Sequence, residues 1–115
     1  AKLLADSWLF AKERLKSLNV IGRSLNNDPE DAKLIKQYIN IAFSAFEWDE
    51  VIRGIKKADE AGLEDDGKFA LMKGIAYFEK KSITNAKNSF IEASNSKEYK
   101  DQGIAWLEYL EALNG

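Results

Sequence analysis

Between Phe69 and Ala93 the chain sets small and aromatic residues at helical spacing. Gly74 stands three residues before Tyr77, and after the break at Lys81-Ser82 come Ala86, Phe90 and Ala93. Small residues let two helices approach closely and aromatic rings fill the space between them, so this stretch predicts a helical hairpin. If the hairpin is one copy of a repeat, the same positions should recur upstream. Stepping back 35 residues lands on Val51, Ile55 and Ala58, and a further 34 on Ser17, Ile21 and Ser24.

The remaining apolar stripes extend this into seven helices. A first helix is expected from Ala1 to about Lys12, with Ala5 and Trp8 in the places of Gly74 and Tyr77. A second, from about Leu15 to Leu25, carries Leu18, Ile21 and Leu25 on one stripe and is closed by Asn26-Asn27-Asp28-Pro29. Gly22 within it points to a close helix contact. The third, about Glu30 to Ala45, has Ile35, Tyr38, Ile39 and Ala42 at the positions of the repeated pattern. Ile39 replaces a small residue there and Ala42 an aromatic, an exchange of volume between neighbours. The turn Phe46-Glu47-Trp48, with Trp48 as its plug, leads to a fourth helix ending near Ala61. Gly62 suits the left-handed residue that ends a helix, and Asp65-Asp66 the start of the next. After the hairpin, a helix carrying Trp106, Leu107, Leu110 and Leu113 would cover its open side.

Composition agrees with an all-α chain. One Pro and seven Gly among 115 residues leave few interruptions, and 45% hydrophobic content is enough for a continuous core. Seventeen basic and 19 acidic residues are interspersed, which argues against nucleic acid as a partner. No apolar run reaches membrane-spanning length, so direct membrane insertion is not expected. The chain opens inside a helical pattern without Met and reads as a piece of a longer protein.

Chemistry is narrowed further by the absence of Cys and His. Thiol and Ser-His nucleophiles and the usual zinc ligands are missing, and neither a cofactor nor a metal site is expected. The carboxylate pairs Asp49-Glu50 and Asp65-Asp66 fall at turns and helix starts, where capping accounts for them. Asp65-Asp66 also lacks the alternating oxygen ligands and later Glu of a calcium loop. No catalytic residue is expected, and the chain is read as not an enzyme.

Gly74, Tyr77, Ala86, Phe90 and Ala93 resemble the tetratricopeptide (TPR) signature of small and aromatic positions over about 34 residues. The resemblance implies an α-solenoid of three TPR-like hairpins, at about 1–31, 32–65 and 66–98, with a C-terminal capping helix at about 99–113. It also implies a concave groove lined by the first helix of each hairpin, which binds a peptide or protein. On that register Leu9, Phe43 and Phe78 form an apolar ladder. Phe10, Lys36, Asn40, Leu71, Ile75 and Glu79 lie beside it. The alternative is that the ladder is ordinary packing between neighbouring helices. Ile75 and Met72 stand where the family's carboxylate clamp has Asn and Arg, which argues against a chaperone-tail adaptor.

Residues 32–113 also resemble the C-terminal part of bacterial TPR proteins associated with TonB, ExbB and ExbD energy-transduction systems. The features are Trp48 in its turn, Ala61-Gly62-Leu63, and the final Trp106-Leu107-Glu108-Tyr109. That resemblance implies a periplasmic accessory of TonB-dependent uptake, with a TonB-system component as partner. A second functional reading is a scaffold that forms a homodimer through an open N-terminal end exposing Leu3, Leu4 and Trp8.

Overall fold

The computed structural model of the chain describes residues 2–64 and 67–114, with side chains described for 12–64 and 67–113. Among the described residues are six helices: α1 (Lys2–Asn27), α2 (Ala32–Ser44), α3 (Trp48–Glu60), α4 (Lys68–Glu79), α5 (Ile83–Ser94) and α6 (Lys100–Asn114). The chain divides into two compact units, Ala1–Leu63 and Glu64–Gly115. In the first, α1 packs on α2 and α2 on α3; in the second, α4 packs on α5 and α5 on α6.

The expected first hairpin is corrected to one continuous helix of 26 residues, which makes the count six rather than seven. Lys12-Glu13-Arg14-Leu15-Lys16, where the turn was placed, consists of strong helix formers with nothing to end a helix. The extrapolated triplet also fails to become core. Ser17 is exposed and Ile21 and Ser24 are only partly covered, whereas Leu18 and Leu25 of the same stripe are buried. Arg14 instead ties α1 to α2, its guanidinium donating to the carbonyl of Ser44 at 2.9 Å. This supplies a cation to the C-terminus of α2, where carbonyls lack helical partners.

The downstream expectations meet a closer match. Val51, Ile55 and Ala58 on α3 and Ala86, Phe90 and Ala93 on α5 are all buried. The two hairpin turns are copies of each other at the same 35-residue interval. Phe46 N–H donates to the Phe43 carbonyl and Glu47 N–H to that of Ala42; Lys81 N–H donates to Phe78 and Ser82 N–H to Tyr77. Such paired bonds close a helix when the residue after the cap turns left-handed. Phe46 and Lys81 hold that position, with φ of 59° and 64°. Gly62 ends α3 by the same device, at φ 72°, with Leu63 N–H reaching the Ala58 carbonyl. The calcium and acidic-start readings of Asp65-Asp66 lie outside the described residues.

Ile39, large where the repeat pattern has a small residue, faces a glycine on the next helix. A Cβ on Gly54 of α3 would stand 2.8 Å from Ile39 and 3.2 Å from Tyr38, so α3 is small where α2 is large. In the second unit the sizes reverse: a Cβ on Gly74 of α4 would lie 2.5 Å from the ring of Phe90 on α5. In each facing pair a glycine makes room for the large residue, since a close-packed interior leaves little slack for an added Cβ. Gly103 brings α6 against the backbone of α5, its hypothetical Cβ 2.6 Å from the Ser94 nitrogen.

Candidate interaction surfaces

In the second unit, Ala86, Phe90 and Leu110 form a buried cluster, with Leu71, Ile75, Tyr77, Phe78, Trp106 and Leu107 packed on it while still partly accessible. Trp106 lies flat on Phe90, centroids 4.9 Å apart and planes 6° apart. Phe78 meets Trp106 at 5.4 Å and Tyr109 at 5.8 Å, and the last two stand edge to face. These rings and Ala105 line an open, mainly apolar cleft of about 300 Å³. Tyr109 remains 49% exposed. Leu113, expected on the inward stripe of α6, is 57% exposed, so the stripe ends at Leu110.

The first unit has its own aromatic group at the α2–α3 turn. Phe43 meets Trp48 edge to face at 5.5 Å, and Phe46 lies 5.7 Å from Trp48 at a tilt. Trp48 therefore packs in the turn as expected, although it stays partly accessible. Phe46 is 71% exposed despite its left-handed backbone. The corresponding turn residue in the second unit is the exposed Lys81.

A groove of about 490 Å³ also runs between α1 and α2, lined by Lys16, Ser17, Val20, Ile21, Gln37, Asn40 and Ile41. Beneath α2 the Tyr38 ring passes between Gly22 and Gly54, and its hydroxyl donates to Glu50 of α3. Burial pushes the Tyr38 phenol above its ordinary range, and the hydrogen bond and negative charge of Glu50 add to the shift. Glu50 also pairs with Arg53 at 3.2 Å.

Each unit holds its own share of the expected binding residues. Side chains of Leu9 and Phe10 lie outside the described residues, as do those of Leu3, Leu4 and Trp8. Lys36 is exposed on α2, and Asn40 lines the α1–α2 groove. Phe43 packs at its own hairpin turn and Phe78 lines the aromatic cleft. Leu71 and Ile75 rest against the second unit's core and Glu79 is exposed. Met72 is buried, so the position of the clamp arginine is taken up by packing. The cleft partners Ala105 and Tyr109 and the groove residues Lys16, Val20 and Gln37 were not among the expected contacts. The apolar stripe of α6 was the signal for Tyr109; a groove beside an unbroken α1 left none.

Among the described residues no group of three or more Asp or Glu is placed to hold a metal ion. No helix there is long and apolar enough to cross a membrane. What the fold and these surfaces define is an all-helical chain with two turn-matched hairpins and open apolar clefts. Comparison with family models, with curated proteins and with solved structures finds no match.

Proposed function

We propose that this chain is a non-enzymatic protein-interaction module of the TPR kind, its hairpins arranged as an α-solenoid that receives a peptide or protein segment. The observation that supports it is the recurrence, at 35 residues, of both the hairpin turn and the buried triplet. Repeats of this sort bury each hydrophobic face against a neighbour and leave the other faces to partners. The exposed rings of Phe46 and Tyr109, with Phe43 and Phe78 beside them, offer aromatic anchor points, and Lys36, Asn40 and Glu79 polar contacts. No catalytic role is assigned: Asp49 and Glu50 begin α3, and Glu50 is engaged by Tyr38 and Arg53. The narrower reading, a periplasmic accessory of TonB-dependent uptake, draws on the resemblance of residues 32–113.

The test uses the immobilised chain against bacterial envelope extract, beside a Phe46→Ser/Tyr109→Ser variant whose fold is checked by circular dichroism. Both replaced side chains are exposed, so the variant should fold. Retention of one partner by the unaltered chain alone is expected, and a TonB-system component would carry the narrower reading. Identical retention by both columns would defeat the assignment of these aromatics.

A further inference from the structure

The α1–α2 groove has a different character from the aromatic cleft. Its lining combines the ammonium of Lys16, the carboxamides of Gln37 and Asn40, the hydroxyl of Ser17 and the aliphatic groups of Val20, Ile21 and Ile41. No carboxylate and no aromatic ring is among them. Val20 is 61% exposed in mid-helix, an aliphatic residue that the core does not use. The two helices that form it are basic as well. From Lys12 onward α1 carries Lys12, Lys16 and Arg23 besides the Arg14 spent on Ser44, and α2 carries Lys33 and Lys36 without any acid. Glu13, one turn before Lys16, is the carboxylate of these helix stretches, while Asp28, Glu30 and Asp31 sit in the connection and Asp31 caps α2. This concentration of cations occurs in a chain of net charge −2.

We propose that this groove binds an extended acidic polypeptide segment with short apolar side chains between its carboxylates. The inference rests on the interaction-module reading and deepens it, giving the surface to which Asn40 belongs a stated partner chemistry. Alternate side chains of an extended segment point to opposite sides, so carboxylates can meet Lys16 while the aliphatic groups between them lie on Val20 and Ile41. Gln37 and Asn40, one helical turn apart, each offer a donor and an acceptor, the pair that a peptide backbone requires. A nucleic acid fits less well, because nothing in the lining stacks on a base.

The probe is a fluorescein-labelled decapeptide of alternating glutamate and valine, compared with its glutamine–valine and lysine–valine counterparts and with a labelled oligothymidine. The glutamate peptide should bind about tenfold more tightly than the lysine peptide, and Lys16→Glu should remove that preference. Val20→Ser should weaken binding several-fold, and backbone amide shifts should fall on residues 16–21 and 37–41. Equal binding of the three peptides, tighter binding of the oligothymidine, or shifts at other residues would overturn the proposal. Shifts confined to Phe78 and residues 105–109 would do so while leaving the module reading intact.

Discussion

Phe46 and Lys81, 35 residues apart, occupy the same left-handed point of two hydrogen-bonded turns, and neither is the glycine that geometry favours. A side chain in that region costs roughly 1–2 kcal/mol, which glycine avoids at the expense of greater unfolded-state entropy. Lys81→Gly should therefore raise stability by about 0.5–1 kcal/mol. Phe46→Gly should gain less, because it also removes the ring beside Trp48. Urea denaturation of both variants measures the difference; a loss of stability in Lys81→Gly would contradict the turn geometry.

Gly22 and Gly54 flank Tyr38 unequally, so alanine should act in opposite directions. At Gly22 a Cβ would lie 3.5 Å from the ring, an ordinary contact, and alanine should stabilise α1 by about 0.5–1 kcal/mol. At Gly54 the added Cβ is crowded by Ile39 and should cost about 1–3 kcal/mol. Thermal unfolding of the two single variants shows whether their signs differ.

The phenol of Tyr38 supplies a pH dependence. Its pKa is raised on folding, so the folded chain holds a proton that the unfolded chain releases above an ordinary value of about 10. The stability this gives is complete below pH ~10 and declines as pH rises toward the folded value. Denaturation midpoints between pH 9 and 11 should fall more steeply for the native sequence than for Tyr38→Phe. Parallel profiles would show that Tyr38 does not contribute the proton.

The sequence made the downstream hairpins readable because their small and large positions are themselves the packing contacts. Gly74 and Phe90 touch across α4 and α5, and Val51, Ile55 and Ala58 reproduce the buried triplet one interval earlier. The same arithmetic misled at Ser17, Ile21 and Ser24, since a period continues on paper where no residue ends the helix. Leu18 and Leu25 carried the true register of α1, visible as a stripe but outweighed by the repeat. Gly54 and Gly103 were missed because the need for a small residue is set by the opposing surface. Of the binding candidates, Lys36 and Glu79 are exposed, Asn40 lines the α1–α2 groove and Phe78 the aromatic cleft, and such surroundings are set by packing that no local pattern spells out.

The three-residue links Ala45-Phe46-Glu47 and Lys80-Lys81-Ser82 bear on how the chain reaches this structure. Closing so short a loop costs little chain entropy, and the contacts it brings together are near neighbours in sequence. Each of these hairpins is consequently a unit of low contact order, able to nucleate on its own. α1 has no such internal closure, so its native packing waits for the surface that α2 supplies.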